Sequence, residues 1–375
     1  MDNSKKIVLY FFQSGRKDKI SSKSKYAKEM FYGYHYFLDN NYKVDVVEFR
    51  NHKTRFGKYF FLIFEKRLRN IFKLPLYWSF VTNKNTLKKI FESDFLIFAN
   101  NRMACSALPM ILYTKIFKNK VSSLSFIMGL FSRTPKYKIL ALIQKAYIIL
   151  CLKTIDQFIF LSKGEIDFAI QKYTKYKDKF HYSPFAVDLD IWKKKNMKEE
   201  EYILFVGNDG FRNFELVEKL TNKLSEKKFI IVSEQINKEK LSSNSKVING
   251  SWGDPELNDL ELRDIYQKAK LTIIPLKDSL QPSGQSVALQ SIACGTPVII
   301  SETEGFWDPK NFVDNENIFF VKDNSLDNWV SLIEKVYYLE LDVRNELVNS
   351  GLKTIKENYD LNNFSKKIEE IIIKK

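Results

Sequence analysis

The segment from residue 271 to residue 301 constrains the fold more than any other part of the sequence. It reads LTIIPLKDSLQPSGQSVALQSIACGTPVIIS. Its two short apolar runs, at 271–276 and 297–301, are rich in β-branched residues, which is typical of parallel strands that helices cover on both faces. A Pro-Ser-Gly turn at 282–284 precedes a predicted helix that ends near Cys294. The segment therefore predicts a strand, a loop, a helix and a second strand of a parallel sheet.

The loop before this helix is a predicted phosphate-binding site. A helix that starts at the carboxyl end of a parallel strand leaves its first amides unpaired and directs its positive dipole end into the crevice. Ser283 is the predicted N-cap, Gly284 lets a ligand approach the backbone, and Gln285 and Ser286 add amide donors. An ordinary serine-capped helix explains the same geometry, so the geometry alone leaves both interpretations open.

The residue string PSGQSVALQSIACGTPVI is more specific, because it resembles the donor-binding signature of the group 1, or family 4-like, glycosyltransferases. The closing ACGTPVI is its most recognisable part. That family carries a Glu-x7-Glu pattern on this helix, and alignment on ACGTPV places Pro282 and Gln290 at the two glutamate positions. The resemblance implies that Gln290 hydrogen-bonds the nucleotide ribose, whereas the contact of the first glutamate with the donor sugar has no counterpart here.

Two further stretches of the second half resemble the same family. In YILFVGNDGFRN a strand leads into a glycine turn and a helix, as in the family element that binds the donor diphosphate. Gly207, Asn208 and Arg212 fall on this element, and a planar guanidinium suits phosphate oxygens. A solvated arginine at a helix start is the alternative for Arg212. The loop after the strand at 246–248 borders the nucleotide base in the family, which makes Trp252 a donor-binding candidate or, equally, a loop anchor.

The 375 residues of the chain exceed a typical single core and suit two domains. Strands alternate with helical stretches in both halves, which is typical of parallel sheets. The string PFAVDLDIW resembles the hinge-side strand exit of the same glycosyltransferases. The resemblance implies an α/β fold of the GT-B type, with two Rossmann-like domains whose parallel sheets face a central cleft. We expect an acceptor-side domain at 1–184, a donor-binding domain at 185–355, and a C-terminal helix at 356–375 that packs back on the first domain.

The first half matches the family only in its strand-helix pattern. A strand at 7–12 opens a loop that contains Gly15 and Arg16. The equivalent loop of such two-domain enzymes faces the acceptor, and a mobile surface loop is the alternative. Met128 and Gly129 follow another predicted strand, where relatives often carry a histidine beside the donor sugar. These four residues are the predicted acceptor-side cleft, and the sequence indicates no catalytic residue.

Two local predictions in the first half depend on helix signals alone. A helix is expected from about Ser24 to Asn40. Ser162 is a predicted helix N-cap, and Glu165 lies three residues later at the capping-box position. The second pattern is that of a capping box, in which each of these two residues caps the backbone of the other, and capping is enough to explain it.

Charge is distributed unevenly along the chain. Residues 1–184 contain 34 Lys and Arg against 13 Asp and Glu, and the remaining residues contain 26 against 32. A half this basic favours an anionic partner, and the candidates are nucleic acid, an anionic membrane surface and a phosphorylated substrate. No nucleic-acid-binding module is recognisable, whereas residues 50–89 interleave cations with large apolar side chains, so an anionic membrane surface is a predicted partner. A packed amphipathic helix with solvated lysines, or a lysine-rich composition, is the alternative.

Cysteine and histidine spacing argues against disulfides and metal centres. The three cysteines form no CxxC pattern, which favours a reducing compartment. The three histidines form no metal-ligand cluster. The N-terminus shows no signal-peptide cleavage site, and polar residues interrupt the apolar run at 139–152, which is too short to cross a bilayer. We expect a cytoplasmic protein that is peripheral on the inner face of the membrane.

The predicted function is transfer of a sugar from a UDP- or GDP-linked donor to the hydroxyl of a glycan or lipid-linked acceptor, in bacterial cell-surface polysaccharide or glycolipid synthesis. The resemblance implies retention at the anomeric carbon. The nucleotide sugar is a substrate, and no cofactor or metal is expected, because helix amides and Arg212 would stabilise the leaving diphosphate. Three alternatives remain: a nucleotide-sugar epimerase of the same fold, a non-catalytic partner subunit, and a basic protein that binds membranes or nucleic acid.

Overall fold

In the described part of the chain, two parallel sheets of six strands each follow one another. The computed structural model describes residues 5–22, 24–49, 56–118, 121–131, 133–251 and 256–374, and only the backbone of 56–60. The first sheet contains β1 (Ile7–Gln13), β2 (Lys43–Phe49), β3 (Phe95–Phe98), β4 (Ser122–Ile127), β5 (Gln157–Phe160) and β6 (Phe180–Tyr182). The second contains β7 (Tyr202–Val206), β8 (Lys228–Val232), β9 (Ser245–Ile248), β10 (Leu271–Ile274), β11 (Val298–Ser301) and β12 (Phe319–Val321).

Helices connect the strands and cover both faces of each sheet. Those of the first half are α1 (Arg16–Ser21), α2 (Tyr34–Asp39), α3 (Phe56–Phe72), α4 (Trp78–Val81), α5 (Lys84–Glu92), α6 (Asn101–Lys118), α7 (Lys138–Thr154) and α8 (Lys163–Lys172). Those that follow are α9 (Phe214–Lys223), α10 (Asp259–Lys268), α11 (Gln285–Ala293), α12 (Leu326–Tyr337), α13 (Leu341–Asn358) and α14 (Leu361–Ile373). Within the described ranges, no helix is both long and apolar enough to cross a membrane.

The central strands are apolar along their whole length because both of their faces are covered. Every residue of β3, β10 and β11 is buried, as expected for strands between two helical layers. The strand order is β2-β1-β3-β4-β5-β6 in the first sheet and β12-β11-β10-β7-β8-β9 in the second. The order therefore reverses between β1 and β3 and again between β7 and β10. In open α/β sheets, ligands bind outside the carboxyl ends of the strands at such a reversal.

The C-terminal helix α14 packs on the first half, against α2 and β4. Its Phe364 ring lies 5.9 Å from the ring of Phe126 and 6.1 Å from that of Phe185. Val187 also joins this layer, because its amide donates to the Tyr359 carbonyl at 3.0 Å. The last helix thus ties the end of the chain to the first sheet, while the exact domain limits stay a prediction.

The helix predicted from Ser24 to Asn40 is wrong over its first part. The chain forms a short 3-10 turn at Glu29–Phe31 and only then the helix α2. Tyr32 (φ 49°) and Gly33 (φ 84°) adopt left-handed backbone conformations, which an α-helix does not allow. The interruption leaves Glu29 at a bend, where its side chain is 1% exposed.

The capping interaction at α8 forms as predicted on one side only. The Ser162 hydroxyl accepts a hydrogen bond from the Glu165 amide at 3.0 Å. The Glu165 carboxylate, however, accepts the amide of Gly129 at 2.8 Å instead of capping the helix. The capping-box prediction is therefore wrong for Glu165, whose carboxylate instead fixes the loop at the carboxyl end of β4.

Candidate functional site

A cavity of about 330 Å³ lies at the carboxyl edge of the second sheet, where the strand order reverses between β7 and β10. This volume is within the usual range of small-molecule sites. The second half contributes the turn after β7 and one face of α11. The first half contributes the side chains of Lys19, Ala27, Glu29 and Met30. The cavity is therefore a cleft between the two halves.

The predicted donor-binding residues gather at this cleft. Gly207, Asn208, Arg212, Ser286 and Gln290 line the cavity. Ser283, Gly284 and Gln285 precede Ser286 directly at the start of α11. Trp252 lies outside the described residues.

Arg212 is packed so tightly that its surroundings require glycine. Its side chain is 3% exposed, and a Cβ at Gly207 would collide with its guanidinium. A Cβ at Gly284 would lie 2.9 Å from its Nη1 atom. The two glycines, one after β7 and one at the start of α11, therefore create the space that the guanidinium fills.

The Arg212 guanidinium has weak partners for a buried cation. Its Nη2 lies 3.5 Å from Asp209 Oδ2, and its Nη1 lies 3.4 Å from the Ser283 hydroxyl. Its Nε has no hydrogen-bond partner among the described residues. Burial lowers the pKa of Arg212, and the Asp209 carboxylate opposes that shift, so the group remains a cation at neutral pH. A buried cation with an unsatisfied donor favours an anionic ligand.

The helix α11 presents its first amides at the same end of the cavity. Gly284 (φ 79°) is the N-cap, and no side chain caps the helix. The prediction that Ser283 is the N-cap is therefore wrong. The left-handed glycine displaces the serine by one position, and its hydroxyl donates to Asp209 Oδ1 at 2.8 Å. The uncapped amides and the helix dipole favour the binding of an anion at this terminus.

Two glutamines of α11 contact the first half. The Gln285 side chain is buried, and its Nε2 lies 3.4 Å from the Leu161 carbonyl. Gln290 Nε2 donates to Glu29 Oε1 at 2.9 Å, and its Oε1 accepts from the Tyr266 hydroxyl at 3.3 Å. Both amides thus connect the two halves of the chain.

Asn208 organises the wall of the cavity through its side chain. Its Nδ2 donates to the Gly250 carbonyl at 2.6 Å. Its Oδ1 accepts from the Ser233 hydroxyl at 3.0 Å and from the Glu234 amide at 2.8 Å. The residue therefore joins the loops that follow β7, β8 and β9, and its amide group is already engaged.

The structure places Glu29 in the cleft, which the sequence did not indicate. Its Oε1 accepts from Trp192 Nε1 at 2.7 Å as well as from Gln290. Burial raises the pKa of Glu29 to about 7, the Asp188 carboxylate adds to this shift, and the hydrogen bonds from Gln290 and Trp192 oppose it. No local motif marks this glutamate, because its partner on α11 is 261 positions away.

A second contact crosses the cleft beside Glu29. Asp259, the first residue of α10, accepts from Lys19 Nζ at 3.0 Å and from the Ala27 amide at 2.8 Å. Both contacts come from the segment between β1 and α2, Lys19 from α1 and Ala27 from the stretch after it. This segment therefore reaches the second half at two places, Asp259 and Gln290.

The predicted acceptor-side residues lie on the first half, away from the cavity lining. Gly15 (φ 92°) precedes α1. Burial lowers the pKa of Arg16, and Tyr32 and Glu48 oppose that shift. Gly129 (φ 78°) donates its amide to the buried Glu165, as described above. The Met128 amide donates to Asn101 Oδ1 at 3.1 Å. These residues follow β1 and β4 at the cleft edge of the first sheet.

No three His, Cys, Asp or Glu side chains form a metal-ligand cluster anywhere in the described ranges.

Sequence comparison finds no matching family model and no matching curated protein. Solved structures match nearly the whole chain. A glycosyltransferase from Rickettsia africae superposes with a TM-score of 0.66 at 13% identity, over 99% of this chain and 100% of that chain. HepE from Anabaena, solved with UDP-glucose, gives 0.65 at 10% identity, over 97% and 98%. The catalytic domain of starch synthase IV from Arabidopsis thaliana, bound to ADP and acarbose, gives 0.61 at 8% identity, over 98% and 99%.

At these identities the likeness defines the fold and no more. The chain has the GT-B fold found in these glycosyltransferase structures. The predicted architecture of two parallel α/β sheets on either side of a cleft is therefore confirmed.

Proposed function

We propose that the protein is a glycosyltransferase that takes a sugar from a nucleotide-diphosphate donor. The observation that carries the proposal is the buried Arg212 guanidinium, which lies in the cavity beside the uncapped N-terminus of α11. Two independent anion-binding elements thus converge at the position where GT-B-type folds open their cleft. The neighbouring structures that were solved with UDP, UDP-glucose or ADP are consistent with a nucleotide at this place.

The same elements supply the electrostatic part of the reaction. When the bond between the sugar and the diphosphate breaks, negative charge develops on the leaving diphosphate. The amides at the start of α11, its dipole and the Arg212 guanidinium lie where they would stabilise that charge. The proposal includes a reaction without a metal and with retention at the anomeric carbon. The acceptor hydroxyl would approach from the edge of the first sheet, where Gly15 and Gly129 lie.

Turnover with defined substrates separates this proposal from its alternatives. The purified chain is incubated in EDTA with labelled UDP- and GDP-sugars, with and without a bacterial lipid and glycan extract. A transferase moves label to the extract and releases the nucleotide only when the extract is present. Interconversion of the sugar without an acceptor would indicate an epimerase. No turnover together with no nucleotide binding would contradict the proposal and favour the non-catalytic subunit.

The acceptor side carries a surface that suits an anionic membrane. The neighbouring helices α3 and α7 expose Phe64, Ile139 and Leu142 at 52%, 64% and 62%. Every charged residue of α7 is a lysine. Among the described side chains of α3, the one acidic residue is Glu65, and it is buried. Apolar side chains among cations are typical of helices that lie at a lipid interface. We therefore propose a peripheral position on the inner face of the cytoplasmic membrane, with a lipid-linked or glycan acceptor and no nucleic acid.

Sedimentation with vesicles tests this surface. The chain is expected to sediment with vesicles that contain phosphatidylglycerol and to remain in solution with pure phosphatidylcholine, because each lysine near an anionic surface contributes about 1 kcal/mol. Leu142→Glu should reduce sedimentation strongly. Leu341→Glu, at a residue of the second half that is 71% exposed, is the matched control and should have no effect. Equal sedimentation with both lipids would contradict the electrostatic part of the proposal.

A further inference from the structure

Glu29 is a buried carboxylate with one oxygen left over. Its Oε1 is occupied by Trp192 and Gln290. Its Oε2 has no hydrogen-bond partner among the described residues, although the side chain is 99% buried and lines the cavity. A buried acceptor without a donor is unfavourable, so the position favours a ligand that brings a hydroxyl or an amide.

The geometry of α11 indicates which part of a ligand reaches this oxygen. Ser286 and Gln290 both line the cavity. They are four residues apart, so they lie on one face of the helix, separated by about 6 Å along its axis. In a nucleoside diphosphate the ribose follows directly after the phosphates. A nucleotide whose diphosphate lies at Ser286 therefore brings its ribose to Gln290, and Glu29 lies against Gln290.

Gln290 already uses half of its hydrogen-bonding capacity. One amide hydrogen is donated to Glu29, and the amide oxygen accepts once from the Tyr266 hydroxyl. Beside it, Glu29 Oε2 is a buried acceptor without a donor among the described residues. We propose that Glu29 accepts a hydrogen bond from a ribose hydroxyl of the bound nucleotide, so that a carboxylate of the first half completes the donor site of the second. The inference rests on the proposed function, because it takes a nucleotide as the ligand.

With this contact, the bound nucleotide bridges the two halves of the chain. The diphosphate is held by the second half alone, through Arg212 and the amides of α11. The ribose is held by both halves, because Gln290 positions the carboxylate of Glu29. A nucleotide without the hydroxyl keeps the first contact and loses the second. Discrimination between ribose and deoxyribose is therefore the signature of Glu29.

Titration calorimetry with deoxynucleotides tests the proposal. The probes are UDP, GDP and ADP, together with their 2′-deoxy and 3′-deoxy forms. The titrations are done at pH 8.5, where Glu29, with a pKa of about 7, is ionised. The ribonucleotide that the wild-type chain binds most tightly should then lose about tenfold or more in affinity when the contacted hydroxyl is absent, as for other hydrogen bonds to charged groups. Glu29→Gln should bind this ribonucleotide about tenfold more weakly, and it should bind the ribo and deoxy forms within about twofold of each other.

Glu165→Gln is the matched control. Glu165 is also fully buried with an Oε2 that lacks a hydrogen-bond partner in the described structure, but it is not part of the cavity lining. Its variant should retain both the wild-type affinity and the wild-type preference for ribose. Glu29→Asp, which keeps the charge on a shorter side chain, replaces Glu29→Gln if that variant does not fold, and it should also lose the preference.

The outcomes separate this inference from the function it rests on. If the wild-type chain binds ribo and deoxy forms equally, or if Glu29→Gln keeps the wild-type preference, Glu29 is a structural link only and the inference is overturned, while nucleotide binding stands. If the wild-type chain binds none of the three ribonucleotides, the proposed function fails and the inference fails with it.

Discussion

Both sheets present the carboxyl ends of their parallel strands to the cleft, but the residues at the two edges differ. In the second sheet, a short turn after β7 and the start of α11 bring Arg212 and its glycines together within the cavity. In the first sheet, the segment between β1 and α2, which includes α1 and the 3-10 turn, reaches across the cleft to Asp259 and Gln290. One edge is thus a compact binding element, and the other supplies contacts at a distance. On the proposed function, we expect the second edge to provide most of the nucleotide affinity and the first to adjust it.

The largest expected difference between the edges concerns their arginines. Arg212→Ala should weaken nucleotide-diphosphate binding by roughly 1.5 to 3 kcal/mol, the range for hydrogen bonds to charged groups. Arg16→Ala, at the corresponding edge of the first sheet, should leave that affinity within about twofold. Calorimetry on both variants measures this contrast. Equal losses of nucleotide affinity in the two variants, or an unchanged dissociation constant for Arg212→Ala, would contradict the expected difference between the two edges.

The pH dependence of stability is a second difference between the halves, and it belongs to the first half. Burial raises the pKa of Glu29 to about 7 and that of Glu165 to about 8, because hydrogen bonds only partly offset the loss of water. The folded state therefore holds protons that the unfolded state has already lost, so stability falls as pH rises from about 5 to 7 or 8. Each group contributes a slope of about 1 kcal/mol per pH unit in its window.

Chemical denaturation of the wild-type chain, Glu29→Gln and Glu165→Gln between pH 5 and 9 measures these slopes. Each variant should become more stable relative to the wild-type chain as the pH rises, up to pH 7 for Glu29→Gln and pH 8 for Glu165→Gln. A wild-type stability that rises across this range, with both variants parallel to it, would contradict the burial of these carboxyls.

The smallest expected effect concerns the contact at Asp259. Asp259→Ala removes a partly exposed ion pair with Lys19 and the acceptor for the Ala27 amide. Exposed ion pairs contribute up to about 1 kcal/mol, so nucleotide affinity should fall measurably, by up to about fivefold. Asp167→Ala breaks an exposed ion pair with Lys163 inside the first half and should not change the affinity. Identical affinities for the two variants would show that this contact does not support the cleft.

The parts of the structure that depend on neighbouring residues are the parts that the sequence predicted. The strand at Leu271, the end of α11 near Cys294, and the turn that carries Arg212 all follow from patterns a few residues long. Ser283 was assigned to the wrong capping position, because a sequence pattern does not show that Gly284 takes the left-handed conformation and becomes the N-cap itself.

Contacts between distant residues were not predictable in this way. Glu29 enters the cleft because Tyr32 and Gly33 interrupt the expected helix and because Gln290 lies opposite, on α11 of the second half. Glu165 matched a capping pattern, but the amide of Gly129 competes for its carboxylate. In both cases a partner far along the chain overrode the local signal, and nothing near either glutamate in the sequence identifies that partner.

The most direct test of the account is a calorimetric titration of the wild-type chain with UDP, GDP, ADP and their common sugar conjugates in the presence of EDTA. We expect one nucleotide to bind selectively at a 1:1 ratio with micromolar affinity, and Arg212→Ala to weaken that binding. If the folded chain binds none of these compounds, the cleft is not a nucleotide-sugar site and the account of its function is wrong.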